Sequence, residues 1–296
     1  MTLADPCPSL LRTDSLTGSN LLEADFFSAH DPSAELIADF IEEADGLVPG
    51  LFASRFDMAA PDSQFEAAEA SAGAGAGANV AARSDAEIPP TVEPWFKLGM
   101  DHAYTFGLWH HRLRQGNATP AISGLYSSLA FGSSKTFSSV EVTLVGTGSN
   151  WPTLPHLYSN TQQLRLLREM ILFESLERSA TLAGNLSCGF GVPRAWLASE
   201  AGVQLSDAPT IFGTASVSLR LEGRSLHANV TVDAHSQALH TVVVSLRAAP
   251  LEWGAPARAA VTVNGAPAAQ PRNGRVELPE RLFAQRKAVH VAATFP

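Results

Sequence analysis

The sequence predicts an α+β protein, with a helical part over residues 1–185 and an antiparallel β-sandwich over residues 186–296. Apolar residues recur at helical spacing in the first part and at every second position after Thr181. The pairs Asn264-Gly265 and Asn273-Gly274 fall between the alternating runs, and such pairs favour tight hairpin turns. A chain of 296 residues is long enough for two domains, and 45% hydrophobic against 17% charged residues suits buried cores.

The first helical signal starts at Ser33, read as an N-cap, with Leu36, Ile37, Phe40 and Ile41 on one face. Asp45-Gly46 and Pro49-Gly50 end it. Residues 66–88 collapse into Ala, Gly, Glu and Ser, too little apolar area to offset the entropy of ordering, and are expected to be a disordered insertion. Their alternating glycines have no strand before them and no Lys-Ser/Thr after, so they do not make a phosphate loop. Glu93-Pro-Trp95 opens an aromatic-rich helical pattern that runs to Gln115-Gly116, and Pro120 begins another that ends near Gly132. Residues 133–159 read as a long loop with one short strand-like run, Val140–Val145. The next helix is expected over Asn160–Glu177, with two apolar faces. Strands are expected at Val217–Leu221, Leu226–Val232, Leu239–Leu246, Ala260–Val263 and Ala288–Ala293, enough for a sandwich.

Composition narrows the function classes. A net charge of −9 with scattered Lys and Arg argues against a nucleic-acid face. No stretch approaches the ~20 apolar residues needed to span a bilayer. Cys7 and Cys188 form no disulfide framework or metal spacing. His102, His110 and His111 supply no i,i+4 ligand pair, so neither a metal nor another cofactor is called for. Ser187 lacks the first glycine of a Gly-x-Ser-x-Gly elbow.

Glycosidic cleavage ordinarily uses two carboxyl groups across a sugar. Glu141 is the best single candidate, set between Val140 and Val142 in the Gly/Ser-rich loop with aromatic and His residues soon after. Asp101 is the second, on the aromatic helix beside His102, where it is either solvent-facing or an inward polar anchor. Glu42, Glu43 and Asp45 read as a solvated helix end. Trp151 and Tyr158 either stack on a pyranose face or plug the domain junction, and Pro155 would hold the His156 ring beside them.

The run Leu154-Pro-His-x-Tyr-Ser-Asn160-x-Gln-x-Leu-Arg-Leu-Leu-Arg-x-Met170 resembles the C-terminal part of six-hairpin glycosidases. Pro193-Arg-Ala-Trp-Leu197 and Ala208-Pro-Thr-x-Phe-Gly213 add to that resemblance, which covers roughly residues 93–235. In that broad group, which includes the α-L-rhamnosidase-like enzymes, an (α/α)6 toroid precedes a β-sandwich. The resemblance implies a partial toroid-like helical domain, an oligo- or polysaccharide partner and a place for Glu141 among the cleft loops. Asp101 would be the other catalytic carboxylate, with Trp151, His156, Tyr158, Asn160 and His102 as sugar contacts. A whole toroid needs twelve helices and only four or five fit before residue 185, so the chain is expected to be the last portion of a longer hydrolase. A non-catalytic carbohydrate-binding or scaffolding protein derived from such an enzyme is the alternative.

Overall fold

Asp31, not Ser33, starts the first helix. In the structure, a computed structural model, the Asp31 carboxylate accepts the Ser33 backbone N–H at 2.8 Å, and Pro32 takes the first helical position. The structure describes residue 22 and residues 30–48, 51–55, 98–101, 105–134, 136–140, 142–144, 150–151, 155–176, 184–234, 239–246, 258–284 and 287–296. The expected insertion at 66–88 lies outside them. The chain divides into two units, residues 1–115 with 123–164, and residues 116–122 with 165–296.

In the first unit, helix α1 (Pro32–Asp45) buries Ala34, Ala38 and Ile41, while Leu36 stands 72% exposed. Of the expected face, Ile41 is thus buried and Ile37 partly so, and Leu36 is not. Strands β1 (Gly46–Val48), β2 (Leu51–Arg55), β3 (Leu98–Asp101), β4 (Val142–Leu144) and β5 (Asn150–Trp151) form an antiparallel sheet in that order. This sheet corrects the helix expected from Trp95 onward. Leu98–Asp101 pairs with β2 on one side and β4 on the other, and ladder pairing overrides a helical pattern that Gly99 already weakens. Only Phe106–Arg114 remains helical (α2), with Phe106 through Leu113 all buried. Helix α3 (Ala118–Phe131) begins two residues before Pro120, which the first turn tolerates because its N–H would have no intrahelical partner. A Cβ on Gly124 would lie 2.4 Å from Trp109 Cε2, so α2 and α3 approach closely at that point only because residue 124 has no side chain.

Helix α4 (Leu157–Ile171) runs without a break into β6 (Leu172–Leu176), where the sequence predicts helix to Glu177. Pairing of β6 with β7 (Gly184–Cys188) decides this: Leu172 sits opposite Cys188 and Glu174 opposite Leu186. Backbone N–H groups of Gly189 and Gly191 donate to Ile171 and Met170 carbonyls at 2.7 and 2.9 Å, satisfying the helix end. Of the two apolar faces expected, Leu166 and Met170 are buried on one, and on the other Ile171 is buried and Leu167 partly so, while Leu164 stands 67% exposed.

The second unit holds two sheets. One contains β6, β7, β11 (Leu239–Ser245) and β14 (Arg275–Pro279), ordered β14-β11-β7-β6, with β7 and β11 parallel. The other has six strands, ordered β13-β12-β15-β10-β9-β8, built from β8 (Val203–Thr210), β9 (Gly213–Glu222), β10 (Ser225–Ala234), β12 (Ala260–Val263), β13 (Ala266–Pro267) and β15 (Val289–Thr294). Alternate residues of both sheets meet in one core. Leu186 and Cys188 of β7, Val217 and Leu219 of β9, Val230 and Val232 of β10, Val242 and Val244 of β11, and Val289 and Val291 of β15 all belong to it. Each of the Val and Leu side chains contributes about 1.5–3 kcal/mol by leaving water. Asn264 and Gly265, at φ 51° and 79°, make the two-residue turn between β12 and β13, as that pair predicts. The short helix α5 (Arg194–Leu197) lies in the connection between β7 and β8, where Leu197 enters the same core.

Candidate functional site

The start of α4 gathers three of the residues singled out in the sequence. His156 precedes the first helical residue, and its Nδ1 lies 2.7 Å from Ser159 Oγ and accepts the Ser159 backbone N–H at 3.4 Å. A side chain reaching forward to the third helical residue is the geometry of a helix cap. The His156 backbone N–H donates to the Ser139 carbonyl at 2.8 Å, and the Ser139 N–H donates to Asn160 Oδ1 at 2.7 Å. Two hydrogen bonds thus fasten the stretch before β4 to the start of α4. Tyr158, half-buried, meets the His156 ring edge-on, with centroids 6.3 Å apart.

A turn farther along α4, the Gln163 amide donates to Ser128 Oγ at 2.8 Å and to Ser133 Oγ at 3.1 Å. Ser128, Ser139, Ser159 and Gln163 are buried, so this polar seam holds α3, the following loop and α4 together. His156 and Asn160 therefore act first as scaffold, a role that the sugar-contact expectation did not include.

The loop held by this seam carries a feature that the sequence reading missed. Phe137 is 70% exposed and adopts φ 60°, an uncommon backbone conformation for a bulky aromatic. Ser134 closes the turn beneath it. The Ser134 Oγ accepts N–H groups of Thr136 and Ser138 at 3.2 and 3.0 Å, and the Phe137 N–H donates to the Ser134 carbonyl at 2.9 Å. An exposed ring is thus presented on a hydrogen-bonded turn two residues before Ser139. Nothing in a Ser-rich loop containing one Phe marks that presentation in advance.

The carboxylate candidates fall differently. Glu141 and His102 lie outside the described residues. Asp101 is on β3 rather than on a helix, and Val142 of β4 is paired with it on one side and with Trp151 of β5 on the other. Register therefore puts Asp101, Val142 and Trp151 in one row across three strands. Adjacent strands are ~4.8 Å apart, so the outer two positions are separated by about twice that.

A separate ionic cluster joins α1 and α2. Arg112, 8% exposed, donates to Glu35 at 2.7 Å and to Asp39 at 3.2 Å, and the Gln115 amide donates to the other Glu35 oxygen. The Gln115 hydrogen bond, followed by that of Arg112, holds the Glu35 carboxyl below its usual value. Fully buried His111 lies 3.8 Å from Glu35, and burial, helped by the Arg114 and Arg112 charges, pushes it down to about 4. An ionised Glu35 tied to a guanidinium is a poor proton donor, and the cluster reads as a helix-to-helix clamp. Among the described residues no group of three or more His, Cys, Asp or Glu stands at metal-binding distance, and no helix is long and apolar enough to cross a membrane.

No family model and no curated protein matches the chain. Among solved structures, a chain described as a glycoside hydrolase is similar, with a TM-score of 0.35 and 14% identity. The match covers 68% of this chain and 33% of that one, so this chain spans about a third of the length of the structure it matches.

Proposed function

We propose that the chain is a carbohydrate-active protein, the C-terminal portion of a glycoside hydrolase of the six-hairpin type that works by carboxylate acid/base catalysis. The observation that carries the sugar-binding part is Phe137, an exposed ring on a turn secured to α4 through Ser139, Asn160 and His156. Rigid aromatic faces suit pyranose stacking because little ordering entropy is lost on binding. Tyr158, edge-on to the His156 ring, and Trp151 are the further stacking residues of this reading. The catalytic part rests on the carboxylates: Glu141 directly precedes Val142, whose strand partner is Asp101. Glu141 is the acid/base, Asp101 its partner, and upstream helices complete the cleft.

Oligosaccharide binding by this chain, measured by calorimetry, tests the reading. Phe137→Ala is expected to weaken binding by about 1 kcal/mol, one stacking partner, while leaving the melting temperature unchanged, since the ring contributes little burial. Trp151→Ala should do the same. In a longer chain carrying the upstream helices, Glu141→Gln should lower hydrolysis by about 10²–10⁴-fold. No glycan binding by the wild-type chain, or full activity in the Glu141→Gln enzyme, would sink the proposal.

A further inference from the structure

The six-stranded sheet of the second unit has one face in the core and one outside, and the outer face carries a pair of histidines on neighbouring strands. His227 of β10 is opposite Ala292 of β15, and His290 of β15 is opposite Asn229, so the two imidazoles are diagonal neighbours. Their rings stack at 5.6 Å between centroids and 26° between planes, and His227 Nδ1 lies 3.4 Å from His290 Nε2. We infer that this pair chelates a divalent transition-metal ion of the zinc or copper type.

The distance is the first argument. Metal–imidazole bonds are about 2.0–2.1 Å and tetrahedral angles near 109°, which puts two ligating nitrogens about 3.4 Å apart. The second argument is rigidity. Both residues lie within a six-pair antiparallel register, from Ser225–Thr294 to Val230–Val289, and the His290 backbone N–H also donates to Asn264 Oδ1 at 2.9 Å. A preformed pair of this kind loses little side-chain freedom on binding. The third argument lies behind the ring. The Glu222 carboxylate stands 3.9 Å from His227 Nε2, the nitrogen that would not ligate. That is beyond hydrogen-bond length, so the carboxylate acts through its charge alone, which favours a cation on the opposite ring nitrogen. Arg220, the nearby cation, has its guanidinium 3.3 Å from the other Glu222 oxygen, which offsets its charge. Two protein nitrogens leave coordination positions for water or for an external oxygen ligand.

The competing arrangement is a plain imidazole-to-imidazole hydrogen bond, and titration separates the two. Calorimetry of the full chain with zinc, nickel and copper chlorides should show one saturable site in the Irving–Williams order, copper tightest, with no binding of magnesium. His227→Asn and His290→Asn should each weaken zinc by about tenfold or more, and Glu222→Gln by less than either. In the wild-type chain, substoichiometric zinc should shift the imidazole NMR signals of these two histidines before those of the other seven of the nine in the sequence. That spectrum keeps the inference testable if a variant fails to fold. Absence of zinc binding, unchanged affinity in either histidine variant, or earlier shifts at other histidines would overturn it.

Discussion

Asn160 Oδ1 accepts the backbone N–H of Ser139 at 2.7 Å, across 21 positions of sequence. Ser139, three positions before β4, is thereby tied to the first turn of α4, and the exposed Phe137 turn hangs from that tie. A side chain placed among sugar contacts by resemblance is thus first a structural bracket.

Removing the bracket should be costly. Asn160→Ala leaves the Ser139 N–H without its acceptor, and an orphaned buried donor costs about 1–3 kcal/mol. Asn160→Asp keeps an acceptor and should lose less. Urea unfolding of the two variants measures both. Equal stability of Asn160→Ala and wild type would mean that the bond contributes nothing.

His111 sets an acid limit on the first unit. Burial makes it harder to protonate in the folded chain, at about 4, than at its ordinary 6.5. The unfolded chain therefore binds more protons between those values. The stabilisation is complete above pH 6.5 and lost progressively as pH falls to about 4, amounting to about 3 kcal/mol at most. Glu35, also held low, adds a further loss as pH drops below its ordinary 4.5. His111→Phe should flatten the slope of stability between pH 6.5 and 4. An unchanged slope would exclude His111 as its source.

Gly124→Ala should destabilise the chain by about 1–3 kcal/mol, the usual range for overpacking, because its Cβ would meet the Trp109 ring at 2.4 Å. Pairing it with Trp109→Phe, which removes part of the indole, should recover some of that loss. Thermal melts of the single and double variants decide whether the two effects couple.

Cys188 should be inert towards thiol reagents in the native state. It is fully buried in the sandwich core, and burial pushes its thiol up to about 12, so almost no thiolate forms at neutral pH. Labelling at Cys188, followed by mass spectrometry, should track global unfolding in denaturant. Rapid labelling without denaturant would show that this part of the sandwich opens locally.

The sequence by itself determined the α+β class, the change from helical to two-residue periodicity, and the hairpin at Asn264-Gly265. These are local properties: an alternating strand buries one face whatever its partners, and an Asn-Gly pair accepts positive φ at little cost. Tertiary structure decided the rest. Leu98–Asp101 and Leu172–Leu176 carry helix-compatible apolar spacing and became strands because other segments offered ladder hydrogen bonds, β2 and β4 far away in sequence for the first and the following strand β7 for the second. His156 and Asn160 are polar loop residues whose roles depend on where Ser139 lies. His227 and His290, 63 residues apart, meet only because β10 and β15 are neighbours in one sheet. Periodicity reports which face of a segment is buried, but pairing between distant segments is set by a global competition for hydrogen bonds and core volume that no local window contains.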